Sequence, residues 1–138
     1  MFVQLVYISR AVLPVVSPLD VVDILDQAAR QNPDRQITGA LTYVNDRFVQ
    51  IIEGPGAEVE ALMRALSVDP RHDRIDILER ISVTHRSFPD WAMLFPMFTP
   101  QTALELTGLL NNGIREGAQY RELLQRMGRE QTDILAAA

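Results

Sequence analysis

The sequence predicts an α+β sandwich, a sheet with two helices on one face, followed by a two-helix tail. Three observations predict it. Segments of strand formers and helical stripes alternate in the order β-α-β-β-α-β-β. The first strand is apolar on both faces, as befits a strand inside a sheet. Turn residues cut the chain into short pieces, with no internal repeat, low-complexity tract or Ser/Gly linker.

The chain has 138 residues, 47% apolar and 22% charged, which suggests one domain with a core that needs no staple. It has no cysteine, so a disulfide framework, a zinc–thiolate site, an iron–sulfur cluster and a thiol nucleophile are excluded. The formal net charge is −5, and all 13 basic residues are arginines with no basic block. That balance argues against direct nucleic-acid binding. No apolar run approaches the roughly 20 residues of a membrane span, and the N-terminus reads as a strand. A cytoplasmic protein is expected.

Phe2 to Ser9 is the first strand, with Val3, Leu5, Tyr7 and Ser9 on one side and Phe2, Gln4, Val6 and Ile8 on the other. Ser17-Pro18-Leu19-Asp20 starts a helix by capping, proline tolerance and dipole complementarity. Val21, Ile24, Leu25 and Ala28 form its stripe, and Pro33 ends it at Asn32. Ile37–Val44 and Arg47–Glu53 read as strands joined by a tight Asn45-Asp46 turn. Gly54-Pro55-Gly56 breaks the chain. Ala57–Val68 is a second helix with Val59, Leu62, Met63 and Leu66 on its apolar side, and Pro70 follows it. Ile75, Ile77, Ile81 and Val83 alternate with Asp76, Arg80, Ser82 and Thr84, the pattern of a half-buried strand. A last strand runs near Trp91 to Phe98. Together these make a ferredoxin-like βαββαββ sandwich. Thr99-Pro100 opens the tail, and Asn112-Gly113 separates its first helix from Ile114–Met127. The expected division is therefore 1–98 and 99–138, with the tail covering the open sheet face or binding a partner.

Gln50 fits a plain core least. It lies mid-strand in Phe48-Val49-Gln50-Ile51-Ile52, apolar on both faces, and an unpaired buried amide costs about 1–3 kcal/mol. Something must pair with it. One reading is a structural glutamine bonded to a neighbour or a buried water; the other is an amide bridging two polar groups. Tyr7 is either a core aromatic with a satisfied hydroxyl or that partner, since first and third strands are neighbours in such a sheet. Asn32 is either a helix stop before proline or an amide aimed between the two helices. Asp69-Pro70-Arg71-His72 is either a solvated turn or a polar gate at the cleft mouth. His72 and His85 lack metal-ligand spacing, and no G-x-G-x-x-G, Walker loop or G-x-S-x-G occurs. No metal is expected.

Together these residues resemble the BLUF family, blue-light sensors using FAD, from about Phe2 to Phe98. The carrying segments are Leu5-Val6-Tyr7-Ile8-Ser9, Asn32 with Ile37-Thr38-Gly39-Ala40-Leu41, Phe48 to Pro55, Asp69-Pro70-Arg71-His72, and Phe88-Pro89-Asp90-Trp91-Ala92-Met93. Each is weak alone, and five in order are a strong signal. The length, with a short helical tail and no effector domain, looks like the short single-domain members. The resemblance implies that Tyr7 is the photochemical electron and proton donor and Gln50 the switch between it and the flavin. Asn32 would hold the ring edge, and Asp69, Arg71 and His72 would lie around the ring and the cleft mouth. Ile24 and Leu66 would sandwich the ring, and Trp91 and Met93 would relay the signal. Gln31 and the pair Ala28-Ala29 depart from the family pattern.

The resemblance thus implies a blue-light photoreceptor, not an enzyme, with non-covalent FAD and FMN or riboflavin also admissible. It would signal to a downstream protein that the sequence does not name, and a homo-oligomer is expected. Two other readings remain: a light-independent flavin or redox protein, and a cofactor-free ferredoxin-like interaction module. An absorption spectrum in the dark and then under blue light separates all three.

Overall fold

The computed structural model describes residues 2–12, 36–88 and 99–137, with side chains as far as residue 130. The helix expected over 18–32 and the strand expected over 91–98 lie outside the described residues. The described strands are β1 (Phe2–Ala11), β2 (Thr38–Val44), β3 (Arg47–Pro55) and β4 (His72–Val83). The helices are α1 (Gly56–Ser67), α2 (Pro100–Asn111) and α3 (Gly117–Ala137). The four strands form one antiparallel sheet in the order β2-β3-β1-β4. β1 is interior, as its two apolar faces require.

Each face of the sheet is covered by a different element. Val3, Leu5 and Tyr7 of β1, with Ile37 and Ile52, pack against Val59 and Met63 of α1. Val6 of β1, Ala40 of β2 and Val49 and Ile51 of β3 pack against Leu106 and Leu110 of α2 and Tyr120 and Leu124 of α3. The period-2 alternation of β1 and β3 sends successive side chains into two different cores. The tail therefore covers the open sheet face, one of the two expected outcomes.

Local chemistry explains the ends of these elements. Asn45 and Asp46 have φ of 51° and 63°, and Val44 pairs with Arg47. Two successive positive φ values match the right-handed twist of a hairpin, and Asn and Asp tolerate them. Thr99 caps α2, accepting from the Thr102 amide at 3.1 Å while the Thr99 amide donates to Thr102 Oγ1 at 2.8 Å, and Pro100 takes the first helical position.

β4 departs from the simple alternation expected. It begins at His72, and its register against β1 slips between Val6 and Tyr7 and again between Ile8 and Arg10. Val6 faces Glu79 while Tyr7 faces Ile77, so Leu78 is the extra residue of a bulge. A bulge reverses which face the following residues take. Ile77 is accordingly 49% exposed, and Leu78 packs against the tail-side core instead.

Candidate functional site

Tyr7 and Gln50 are direct cross-strand partners on β1 and β3. Both face α1, and they are 2% and 6% exposed. The Tyr7 hydroxyl donates to Gln50 Oε1. The polar residue that did not fit an apolar strand thus meets the tyrosine that shares its face. Burial, above all, raises the Tyr7 pKa above the ordinary tyrosine value; the Asp69 charge adds to this and Arg71 opposes it. The phenol is therefore held protonated, as a donor.

His72 sits at the start of β4, buried, with its ring edge-on to Tyr7 at 6.1 Å. A second edge contact joins it to Phe48, also at 6.1 Å. Its Nε2 lies 2.8 Å from the Leu66 carbonyl, which can only accept, so that nitrogen carries a proton. Its Nδ1 meets the Ser9 hydroxyl at 2.7 Å. Both ring nitrogens are engaged within the protein, and His72 locks the end of α1 to β1 behind Tyr7.

Asp69 and Arg71 form an ion pair at the same end. The Arg71 amide donates to Asp69 Oδ1 at 2.9 Å, and its Nε donates to the carboxylate at 3.0 Å. Burial works against the Asp69 carboxylate, but Arg71's hydrogen bonds and charge outweigh it and leave the pKa below the usual carboxylate value. The Arg71 carbonyl accepts from Val12 at 3.1 Å, which ties this turn to the end of β1. Leu62 and Leu66 of α1 are partly buried against the Tyr7 core and keep apolar surface exposed. One end of the α1 face thus gathers Tyr7, Gln50, His72, Leu66, Asp69 and Arg71. Ile24, Asn32, Trp91 and Met93 lie outside the described residues.

A profile described as sensors of blue-light using FAD, the BLUF family, matches residues 2–94. This chain belongs to the BLUF family. FAD is the cofactor of that family, and its members sense blue light. The photoactivated adenylate cyclase subunit beta of Euglena longa is 38% identical over 90 residues, 64% of this chain. The chain spans about a tenth of the length of that relative. The blue light- and temperature-regulated antirepressor BluF of Escherichia coli is 36% identical over 53 residues, covering 38% of this chain and 13% of that one.

Solved BLUF structures are similar over more than the profile match. BlrB, a BLUF protein in its dark state, superposes with a TM-score of 0.75 at 33% identity, covering 91% of this chain and 93% of that one. The photo-activated state of BlsA gives 0.77 at 28% identity, covering 92% and 94%. A bacterial light-regulated adenylyl cyclase gives 0.73 at 29% identity, with 91% of this chain but 36% of that one covered. The shares for BlrB and BlsA are larger than residues 1–98 can supply, so the likeness takes in part of the helical tail. Among the described residues no group of histidines and carboxylates gathers as a metal site, and no helix is long and apolar enough to cross a membrane.

Sequence reasoning missed a second buried polar group. Glu53 is fully buried on the tail-facing side of β3, paired across the ladder with buried Gln4. The test that singled out Gln50, a polar side chain within an apolar strand, applies equally to Gln4. Ser9 was missed as well, since a lone serine at a strand end carries no signal until its partner is known.

Proposed function

We propose that this protein is a blue-light photoreceptor in which Tyr7 and Gln50 form the photochemical relay. The single observation that carries the reading is the buried cross-strand bond from the Tyr7 hydroxyl to Gln50 Oε1. The described residues suit a flavin ring. The partly exposed surface of Leu66 and Leu62 offers an apolar wall beside an amide that both donates and accepts. Leu66 with Ile24 would hold the ring faces, Asn32 and Gln50 its polar edge, and Asp69 and Arg71 the cleft mouth. His72, expected around the ring and the cleft mouth, is instead given a place behind Tyr7, because Ser9 and Leu66 engage both of its ring nitrogens.

When bound, FAD supplies blue-light absorption and an electron-accepting excited state. Tyr7 would be the group that gives up an electron to it, and its O–H bond leads to Gln50 Oε1. An oxidised phenol is strongly acidic, so the proton follows the electron along that bond. Both later return to Tyr7. On the way the Gln50 amide would take that proton at Oε1 and release one from its nitrogen, so that after the return it would be left rotated or as its tautomer, with a different hydrogen-bond pattern. The change biases the fold only by the free-energy difference between the two bonded states. Trp91 and Met93 are the proposed relay toward the tail. We assign residues 1–98 to flavin binding and 99–138 to a helical extension that reads the change for a separate protein partner, in a homo-oligomer. The reading is of a sensor rather than an enzyme.

The test is an absorption spectrum of the purified, FAD-loaded protein before and after blue light. A reversible red shift is expected. Tyr7→Phe should keep the flavin bound and lose the shift. A full shift in that variant would overturn the relay, and a yellow protein with no reversible shift would favour a light-independent flavoprotein.

A further inference from the structure

The carboxylate of Glu53 meets four donors from three parts of the chain. Its Oε1 accepts from the Phe88 amide at 2.6 Å and from Thr38 Oγ1 at 3.1 Å. Its Oε2 accepts from the Ser87 amide at 2.9 Å and from Gln4 Nε2 at 3.0 Å. A carboxylate has about four lone-pair sites, and all are filled. Arg86 adds to the same turn, donating to the Glu53 backbone carbonyl at 3.2 Å, to Thr38 Oγ1 at 2.9 Å and to the Gln36 carbonyl at 2.7 Å. The 86–88 turn is thus fastened to the sheet through one side chain.

The turn also reaches the tail. Ser87 Oγ accepts from Gln4 Nε2 at 3.0 Å and from Gln125 Nε2 of α3 at 2.7 Å. Phe88 is buried in the core that α2 and α3 build on the sheet. The Gln4–Glu53 rung lies three residues from the Tyr7–Gln50 rung on the same two central strands, about 10 Å along the ladder. One rung faces α1 and the other faces the tail.

We propose that Glu53 is a positioning residue for signal output: with Gln4 and Ser87 it joins the β1–β3 ladder to α3 through Gln125, so that a change at the Tyr7–Gln50 rung alters how α3 is held. This rests on the photoreceptor reading above. A buried charge with four directed bonds has few alternative arrangements, so a shift between β1 and β3 must change this set of bonds or move the turn. Moving the turn moves the Ser87 hydroxyl that holds Gln125.

The test uses the full FAD-loaded chain, with two readouts taken in the dark and under blue light. The absorption shift reports on the Tyr7–Gln50 site, and amide hydrogen exchange of α3 reports on the output. Gln125→Leu removes the amide at a partly exposed position, and Ser87→Ala removes the shared hydroxyl. Both should keep the red shift and lose most of the light-minus-dark difference in α3 exchange. Arg126→Gln breaks the ion pair to Glu105 within the tail, away from this line, and should keep both signals. Glu53→Gln turns an –NH2 toward two donors and should act like Ser87→Ala; if it fails to fold, the other two variants carry the test. A full α3 difference in Gln125→Leu and Ser87→Ala, or none in the unsubstituted protein despite a red shift, would overturn the proposal. Absence of any red shift would overturn the photoreceptor reading and this inference with it.

Discussion

The Tyr7 phenol is buried, and its surroundings set its protonation. Burial raises its pKa above the ordinary value, with Asp69 adding and Arg71 opposing. A folded-state pKa raised above the unfolded one leaves stability intact below the unfolded value of about 10, and stability is lost as pH rises beyond it. Urea midpoints should therefore fall as pH rises above about 10, and Tyr7→Phe should fall less steeply. Equal slopes would mean that Tyr7 ionises as easily folded as unfolded. Near neutral pH the same variant loses a buried hydrogen bond, and a destabilisation of about 1–3 kcal/mol is expected from the same titrations. His72 shows a different use of a buried polar group. Its two nitrogens are satisfied by Ser9 and Leu66, so it orders the wall behind Tyr7.

At the scale of the element, two glycines predict opposite outcomes. A Cβ on Gly39 of β2 would run into the backbone carbonyl of Ile51 on β3, where the paired strands cannot yield. Gly39→Ala should destabilise the protein by about 1–3 kcal/mol. Gly108 lies inside α2, and a methyl group added there would meet nothing within 4 Å. Gly108→Ala should stabilise by roughly 0.5–1 kcal/mol, because the unfolded chain loses freedom that the helix does not need. Chemical denaturation of both variants checks the pair, and the Gly39 prediction fails if its midpoint is unchanged. β4 shows where element-level reading reached its limit. Its apolar alternation was legible, but the bulge at Leu78 was not, because register belongs to the pair of strands and not to one of them.

At the scale of the whole molecule, β1 and β3 belong to two cores at once. Tyr7 and Ile52 look toward α1, while Val6 and Ile51 look toward the tail. Ion pairs reinforce the second face: Arg115 with Asp76, and Arg121 with Glu79 at 3.1 Å, join the α3 side to β4. Arg47 of β3 also donates to the Leu110 carbonyl at the end of α2, at 3.2 Å. A tail that shares its core with the sheet should not melt by itself. Leu124→Ala removes a fully buried side chain and should cost about 2–5 kcal/mol. Flavin absorbance and far-UV dichroism of that variant should report one coincident transition. A separate early transition of helical signal, with flavin absorbance unchanged, would show that residues 99–138 fold independently.

The sequence by itself determined what periodicity and side-chain chemistry can express within one element. It showed the two apolar faces of β1, the stripe of α1, the Asn45-Asp46 turn and the need of Gln50 for a partner. These follow from the 2.0 and 3.6 repeats and from the cost of burying an unpaired amide. Only the tertiary structure decided which groups answer those needs. His72 finds Ser9 63 residues away, and Glu53 finds donors 15, 34, 35 and 49 residues away. The tail settles on one particular face of the sheet. Such partners are chosen by strand order and register, which arise when distant segments pack against one another and leave no periodic trace in any single stretch of chain.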